Sequence, residues 1–336
     1  GSLVVAGENL RQPELADALE LLAIEGEQLF YQGEMGAGLI AACGSGGGYL
    51  QKTDLYDYKV VERDPLAYHY RKARILTNPL PSSGGSLICF AHALLEAHDQ
   101  GEFGSAQHLE LLAEVMKQTN LARMENGQTG KGSTGHILNP DTVARFRTAL
   151  AGHPVNSRGT THISVVDGER NAASLSLSNG EGSGYVLPGT GIMLNNMLGE
   201  EDLNPGGFHR WDTAVRVSSM MAPTLAIEPD RVIATGSGGS NRLRTAILQT
   251  LNNLCYFGMS VRDAVDNPRL HVEQELLSIE PGFPDAAVDE VCGGYPSHNR
   301  WAEKNLFFGG THTVIHDNRG FSGAGDPRRG GVFVSV

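Results

Sequence analysis

Two adjacent threonines, Thr160 and Thr161, stand in mid-chain in "SRGTTHISVVDG", between a flexible Arg-Gly pair and an apolar run. A threonine hydroxyl is a weak nucleophile unless a base stands beside it. A cut after Gly159 would supply one: Thr160 would gain a free α-amino group, whose ordinary pKa of about 7.7–8.0 suits it to take the proton of its own hydroxyl. One residue would then be nucleophile and base together. Read from residue types alone, the same pair begins a β-strand, which threonine favours, and composition by itself prefers that plainer reading.

The other chemistry-bearing stretches are weaker. In "ATGSGGSNR" (234–242) a strand leads in and a helix leads out, so backbone N–H groups at the helix start can hold an anion, a transient oxyanion included. The runs "CGSGGGY" and "TGKGST" lack the order of a phosphate loop and read as flexible loop. "GFSGAG" approaches a nucleophile elbow but ends in Ala-Gly and precedes no helix. The 12 histidines contain no HExxH, and His108, His271 and His312 are scattered, so no metal centre is expected. Cys43, Cys89, Cys255 and Cys292 form no CxxC pair and read as buried thiols. "DPRR" (326–329) and "DNPRLH" (266–271) each set Asp beside Arg across a proline, the pattern of a local ion pair that fixes a turn.

The elements that must position these groups follow from periodicity. "RQPELADALELLAIEGEQLFYQG" spaces Leu15, Leu19, Leu22 and Phe30 helically, giving a helix from about Pro13 to Glu25. A second helix follows the Pro/Ser/Gly turn "PLPSSGG", with Ser82 or Ser83 as N-cap, and a third covers 105–124. "ENGQTGKGSTGHILNP" and "LAGHPVNSRG" read as mobile loop around one short helix and mark the best boundary. Beyond it "THISVVD", "AASLSLS", "RVIATGSGG" and "THTVIHD" alternate as strands do, with one clear helix at 240–256. The expected class is α+β: a mostly helical portion, 1–159, and a strand-rich portion, 160–336, forming one composite domain. With 40% hydrophobic residues the chain can build a core. Its net charge of −12, from 26 Lys and Arg against 38 Asp and Glu, argues against nucleic acid and anionic membrane surfaces and leaves small molecules as partners. No apolar run is long enough to span a bilayer.

Taken with "DLYDYKVVERDPL", "NPLPSSGGSL", "GTGIMLNN", "RVSSMMAPTLAI", "ATGSGGSNR", "DAVDNPRLH" and "GAGDPR", all in order, "GTTHISVVD" resembles the processing site of the γ-glutamyltranspeptidase family of N-terminal-nucleophile (Ntn) hydrolases. The resemblance runs along nearly the whole chain. It implies a four-layer αββα sandwich, self-cleavage at Gly159-Thr160, and a heterodimer of the two products, 1–159 and 160–336. Thr160 becomes the nucleophile, and Ser176 or Ser178 the hydroxyl that orients it. Ser218 and Ser219 hold the substrate α-carboxylate, and Gly238 and Gly239 form the oxyanion hole. The implied reaction is acyl transfer from a γ-glutamyl amide such as glutathione to water or an amine, with no cofactor or metal, in a periplasmic or secreted setting.

Several positions depart from the family pattern. Met197 stands where a Gln or Glu contacts the substrate amino group, while Glu200 is in register with the family aspartate. The substrate-binding asparagine falls at Ser178 or Asn179, and the oxyanion glycines are open to a shift of one position. The stretch from "NPGGFHRW" to the serine pair is too short for a lid loop, which predicts an open pocket tolerant of bulky groups. Family chains also carry a preceding segment with the arginine that binds the α-carboxylate. The expectation is therefore a fragment, a missing part located elsewhere, or a trimmed fold. Two alternatives stay open: a glutaryl or cephalosporin-side-chain acylase on the same scaffold, which suits Met197, and an unprocessed relative that only binds a ligand.

Overall fold

The computed structural model describes residues 4–5, 7–127, 137–146, 160–200, 203–204 and 207–336. In chain order the helices are α1 (Pro13–Glu25), α2 (Gln28–Tyr31), α3 (Glu34–Ser45), α4 (Lys52–Tyr56), α5 (Gly84–Glu96), α6 (Ala106–Gly127), α7 (Pro140–Phe146), α8 (Arg242–Cys255), α9 (Val261–Asp266) and α10 (Asp285–Gly293). The strands are β1 (Leu66–Tyr70), β2 (Ala73–Thr77), β3 (Thr161–Val166), β4 (Ala172–Leu177), β5 (Val186–Leu187), β6 (Ile192–Met193), β7 (Thr224–Ile227) and β8 (Val232–Gly238). They continue with β9 (Leu270–Glu273), β10 (Leu276–Ile279), β11 (Ser297–Arg300), β12 (Gly310–Asp317) and β13 (Gly320–Ala324). These fall into two compact units that do not follow chain order: residues 1–63 with 181–197, and residues 64–180 with 198–336.

The smaller unit packs α1–α4 with the hairpin β5–β6. Pro13 opens α1 at a position where a missing N–H costs nothing, and Gly26 closes it with a positive φ of 78°. Ala18 packs with Leu29, Met35 and Ile192, while Leu39, Leu55 and Leu187 form a second small cluster. Leu19, one of the residues spaced helically in the sequence, is exposed instead.

The larger unit is built on an antiparallel six-stranded sheet in the order β1-β2-β7-β8-β12-β13. The alternation along β8 shows how its two faces divide. Ile233 points into a core with Ile247 and Leu251 of α8, Ile88 of α5 and Ile75 of β2. Gly236 and Gly238 point the other way, where a side chain at the first would meet the ring of His162 and at the second the carbonyl of Thr160. Those two glycines let the β3–β4 ribbon lie close on the sheet. A second core joins α5, α6 and α10 with the sheet β9-β10-β11 through Phe90, Leu109, Met116, Val272 and Val291.

The ribbon is inverted relative to the usual expectation for a surface strand pair. His162, Ser164, Ser174 and Ser176 face inward, while Ile163, Val165, Leu175 and Leu177 are about half exposed on its outer face. The observed layers are thus helices on a six-stranded sheet on a two-stranded ribbon. The strand assignments made from alternation agree with β3, β4, β8 and β12. The sequence reading of a single clear helix after residue 160 is corrected: α9 and α10 are also present, each too short for a helical period to stand out. The two loop segments read as mobile lie largely outside the described residues.

Candidate active site

Thr160 sits immediately before β3, at the end of the ribbon that lies over β8. Its hydroxyl donates to Ser178 Oγ at 3.3 Å, and the Gly180 N–H donates to the same oxygen at 3.0 Å. Register explains the meeting: Thr161 pairs with Leu177, so the residues just outside that pair, Thr160 and Ser178, stand opposite each other at the ribbon end. Of the two serines left open by the sequence, Ser178 is therefore the one at Thr160. Ser176 instead bonds His162 Nδ1 at 2.9 Å. Asn179 is exposed beside them. Gly159 is outside the described residues, so the expected cleavage bond is too.

Gly238 and Gly239 lie at the junction of β8 and α8. Gly238 abuts the Thr160 carbonyl, and Gly239, at φ +124°, adopts a conformation that L side chains rarely reach while passing the Gly309 Cα. The Ser237 hydroxyl fixes this corner by donating to the Gly238 carbonyl at 2.7 Å and accepting the Gly310 N–H at 3.0 Å. Thr160, the Ser178 hydroxyl and the paired glycines thus converge, the glycines from a distant part of the sequence.

The serine pair belongs to another contact set. Ser219 bridges in parallel to Ser82: Ser83 N–H donates to the Ser219 carbonyl at 2.9 Å, and Ser219 Oγ donates to Ser82 Oγ at 3.2 Å. Ser83 occupies the N-cap position of α5 but makes no capping bond. Its hydroxyl and that of Ser82 turn to the Ser219–Met221 segment instead. The expected capping role is corrected accordingly. Gly84 permits this approach, since a side chain there would strike the Met220 carbonyl. Glu200 is buried, its carbonyl accepting from Asn204 Nδ2 at 2.7 Å. Met197 belongs to the other compact unit.

Two features escaped the sequence reading. His162 bridges Ser176 and Ser164, each at 2.9 Å, beneath the ribbon, and burial pushes its imidazole down to about 3, so it is neutral. The shared parity of His162 and Ser164 on β3 with Ser174 and Ser176 on β4 was the available signal. The second is the pairing of "DPRR" with "DNPRLH". Asp326 does bind its neighbour Arg328 at 3.2 Å, but it also reaches Arg269 of the other motif at 2.7 Å, and Arg328 engages buried Glu280. Asp266 pairs with Arg262 rather than Arg269. The two turns lock to each other, where the sequence suggested two separate local pairs.

Among the described residues, no three His, Cys, Asp or Glu side chains are placed to hold a metal, and no helix is long and apolar enough to cross a membrane. All four cysteines are free; Cys89 and Cys292 are buried and Cys43 and Cys255 partly so.

The chain as a whole is similar to known proteins. The chain is 33% identical to a glutathione hydrolase proenzyme of Pseudomonas sp. (strain A14), over 96% of this chain and 63% of that one. It is 30% identical to the acylase ACY 1 proenzyme of Pseudomonas sp. (strain SE83), over 87% of this chain and 55% of the relative. The fold matches cephalosporin acylase from Bacillus halodurans at a TM-score of 0.82 and 23% identity, covering 97% of this chain and 63% of that one. The chain thus spans about 55–63% of the length of these relatives. The gamma-glutamyltranspeptidase family matches residues 1–336 from end to end, and the chain belongs to that family.

Proposed function

We propose that the chain is the catalytic portion of an N-terminal-nucleophile γ-glutamyl hydrolase or transferase, matured by cleavage at Gly159-Thr160 into a heterodimer of 1–159 and 160–336. The observation that carries this is the meeting of Thr160 Oγ with Ser178 Oγ at 3.3 Å, with the Thr160 carbonyl against Gly238. In maturation the Thr160 hydroxyl attacks the Gly159 carbonyl, the C–N bond breaks in an N-to-O shift that frees the Thr160 amine and leaves an ester, and water hydrolyses that ester to the Gly159 carboxylate and the Thr160 hydroxyl. In turnover Thr160 Oγ passes its proton to that amine and bonds the γ-carbonyl of a glutathione-like amide. The carbonyl oxygen becomes an oxyanion at the Gly238–Gly239 backbone. Collapse breaks the C–N bond, the ammonium gives its proton to the leaving amine, and water or an acceptor amine then releases the acyl group. Ser218, Ser219, Glu200 and Asn179 are the proposed substrate-binding groups.

A second reading, a glutaryl or cephalosporin-type acylase, is favoured by Met197, whose thioether cannot pair with a substrate ammonium, and by the acylase relative at 30% identity. Denaturing intact mass of the wild type and of Thr160→Ala tests maturation: two fragments for the first and one chain for the second are expected. A single chain in both would refute self-cleavage. Turnover of γ-glutamyl against glutaryl anilide then separates the two readings, and a marked glutaryl preference would decide for the acylase.

A further inference from the structure

Arg329 is the charged residue that the mechanism above leaves unused. Its side chain runs across Gly310, where any Cβ would meet the Cβ, Cγ and Cδ of the arginine at 2.7–3.0 Å. Its guanidinium then lies along the two candidate oxyanion glycines: Nη1 is 3.4 Å from the point where a Cβ would stand on Gly238, and Nη2 is 3.4 Å from the corresponding point on Gly239. The Thr160 carbonyl oxygen abuts that same point on Gly238. Three glycines from two strands and a turn therefore clear a path that brings one cation to the corner where the Thr160 carbonyl meets Gly238.

That cation is poorly matched. The neighbouring buried charges cancel, Arg269 and Arg328 against Asp326 and Glu280. Arg329 makes no ion pair among the described residues; Nη2 donates to the Leu306 carbonyl at 3.2 Å, and its buried Nε–H lacks an acceptor. The titratable groups packed around it are His312 on β12, His162 on β3 and Asp326 on its own turn; burial holds both imidazoles neutral, and Asp326 is already shared by two arginines. Positive charge at this spot opposes protonation of a nearby amine and favours negative charge developing on a nearby oxygen.

We propose that Arg329 is the electrostatic positioning residue of the nucleophile: its guanidinium keeps the freed Thr160 α-amine in the neutral, proton-accepting form and adds positive charge where the oxyanion develops at Gly238–Gly239. This rests on the cleaved-threonine reading above. No atom of Arg329 enters the bond changes, so its signature is a shifted pH profile and a lowered kcat, with KM unaltered.

The test compares wild type, Arg329→Met and Arg329→Lys, with cleavage checked by intact mass and folding by thermal melt. For Arg329→Met the acidic limb of kcat/KM for γ-glutamyl or glutaryl anilide is expected to move up by about one pH unit. Its kcat should fall roughly ten- to a hundredfold while KM stays within about threefold. Arg329→Lys, which keeps charge but loses the planar fork, should return the limb to its wild-type position. An unchanged limb in the Met variant, or a Lys variant shifted as far as the Met variant, overturns the proposal. If the wild type cleaves yet turns over neither anilide, the substrate reading fails alone, because the limb can be read from the pH dependence of Thr160 acylation by an electrophilic glutamine analogue. An upward shift there in the Met variant supports the proposal, and no shift overturns it.

Discussion

Gly238 shows how much can depend on one missing side chain. Its Cα lies where the ribbon end meets β8, and a methyl group there would collide with the backbone carbonyl of Thr160, which cannot rotate away. Gly238→Ala is therefore expected to cost about 1–3 kcal/mol, the range of an overpacked core, and to displace the threonine as well. Thermal melting gives the first effect. Acylation of Thr160 by an electrophilic glutamine analogue gives the second, and a variant with wild-type melting and acylation would refute this placement. The sequence marked the threonine and the glycine pair as candidates because the order of its motifs resembles a family's. It did not expose Arg329, since a lone arginine after "DPR" has no periodicity or spacing to mark what it faces; only the path across Gly310 shows that.

At the scale of elements, the β3–β4 ribbon makes an unusual demand on its residues. Ser174 Oγ donates to the Thr235 carbonyl and accepts the Thr224 N–H, each at 2.9 Å, so it stitches the ribbon to β8 and β7. Ser174→Ala should cost about 1–3 kcal/mol because it leaves both buried partners unsatisfied. Leu175→Thr on the outer face should change stability by less than about 0.5 kcal/mol. Urea unfolding of the two variants checks this, and the reverse ranking would mean that the ribbon faces the other way. The turn containing Arg328 makes a similar demand. Asp326→Asn leaves Arg269 and Arg328 buried with less counter-charge and should cost about 3–5 kcal/mol by the same assay. Alternation in the sequence revealed the strands of this region but not which face is buried. Serines and a histidine read as outward by composition, and only their partners on β7, β8 and β12 make them interior.

For the whole molecule, buried histidines set an acid limit, His92, His108 and His162 among them. Burial pushes His92 and His162 down to about 3 and His108 to about 4, whereas in an unfolded chain each titrates near 6.5. About one pH unit or more above 6.5 both states hold these groups neutral and stability is unaffected. As pH falls from there toward 3–4 the unfolded chain takes up protons that the folded chain refuses, so stability drops by roughly 1.4 kcal/mol per pH unit for each histidine. Urea midpoints at pH 7 and pH 5.5 should show a clear loss at the lower value, well before carboxylates contribute. Equal midpoints would mean that these imidazoles are not buried as described.

The six-stranded sheet carries β1 and β2 from before residue 160 and β7, β8, β12 and β13 from after it, with Arg74–Thr77 of β2 zipped to Thr224–Ile227 of β7. A backbone break at Gly159-Thr160 would cross no hydrogen-bonded pair of that sheet. The nicked molecule would keep its seam, and neither half could leave without baring a sheet edge and the face under α5 and α8. The order of events is then constrained. Thr160 meets Ser178 within one hairpin but Gly238 only after strands distant in sequence have docked, so the proposed cleavage would have to wait until the chain has folded. Maturation of the proposed kind would proofread the fold: a misassembled copy would never expose the amine of Thr160 and would stay silent.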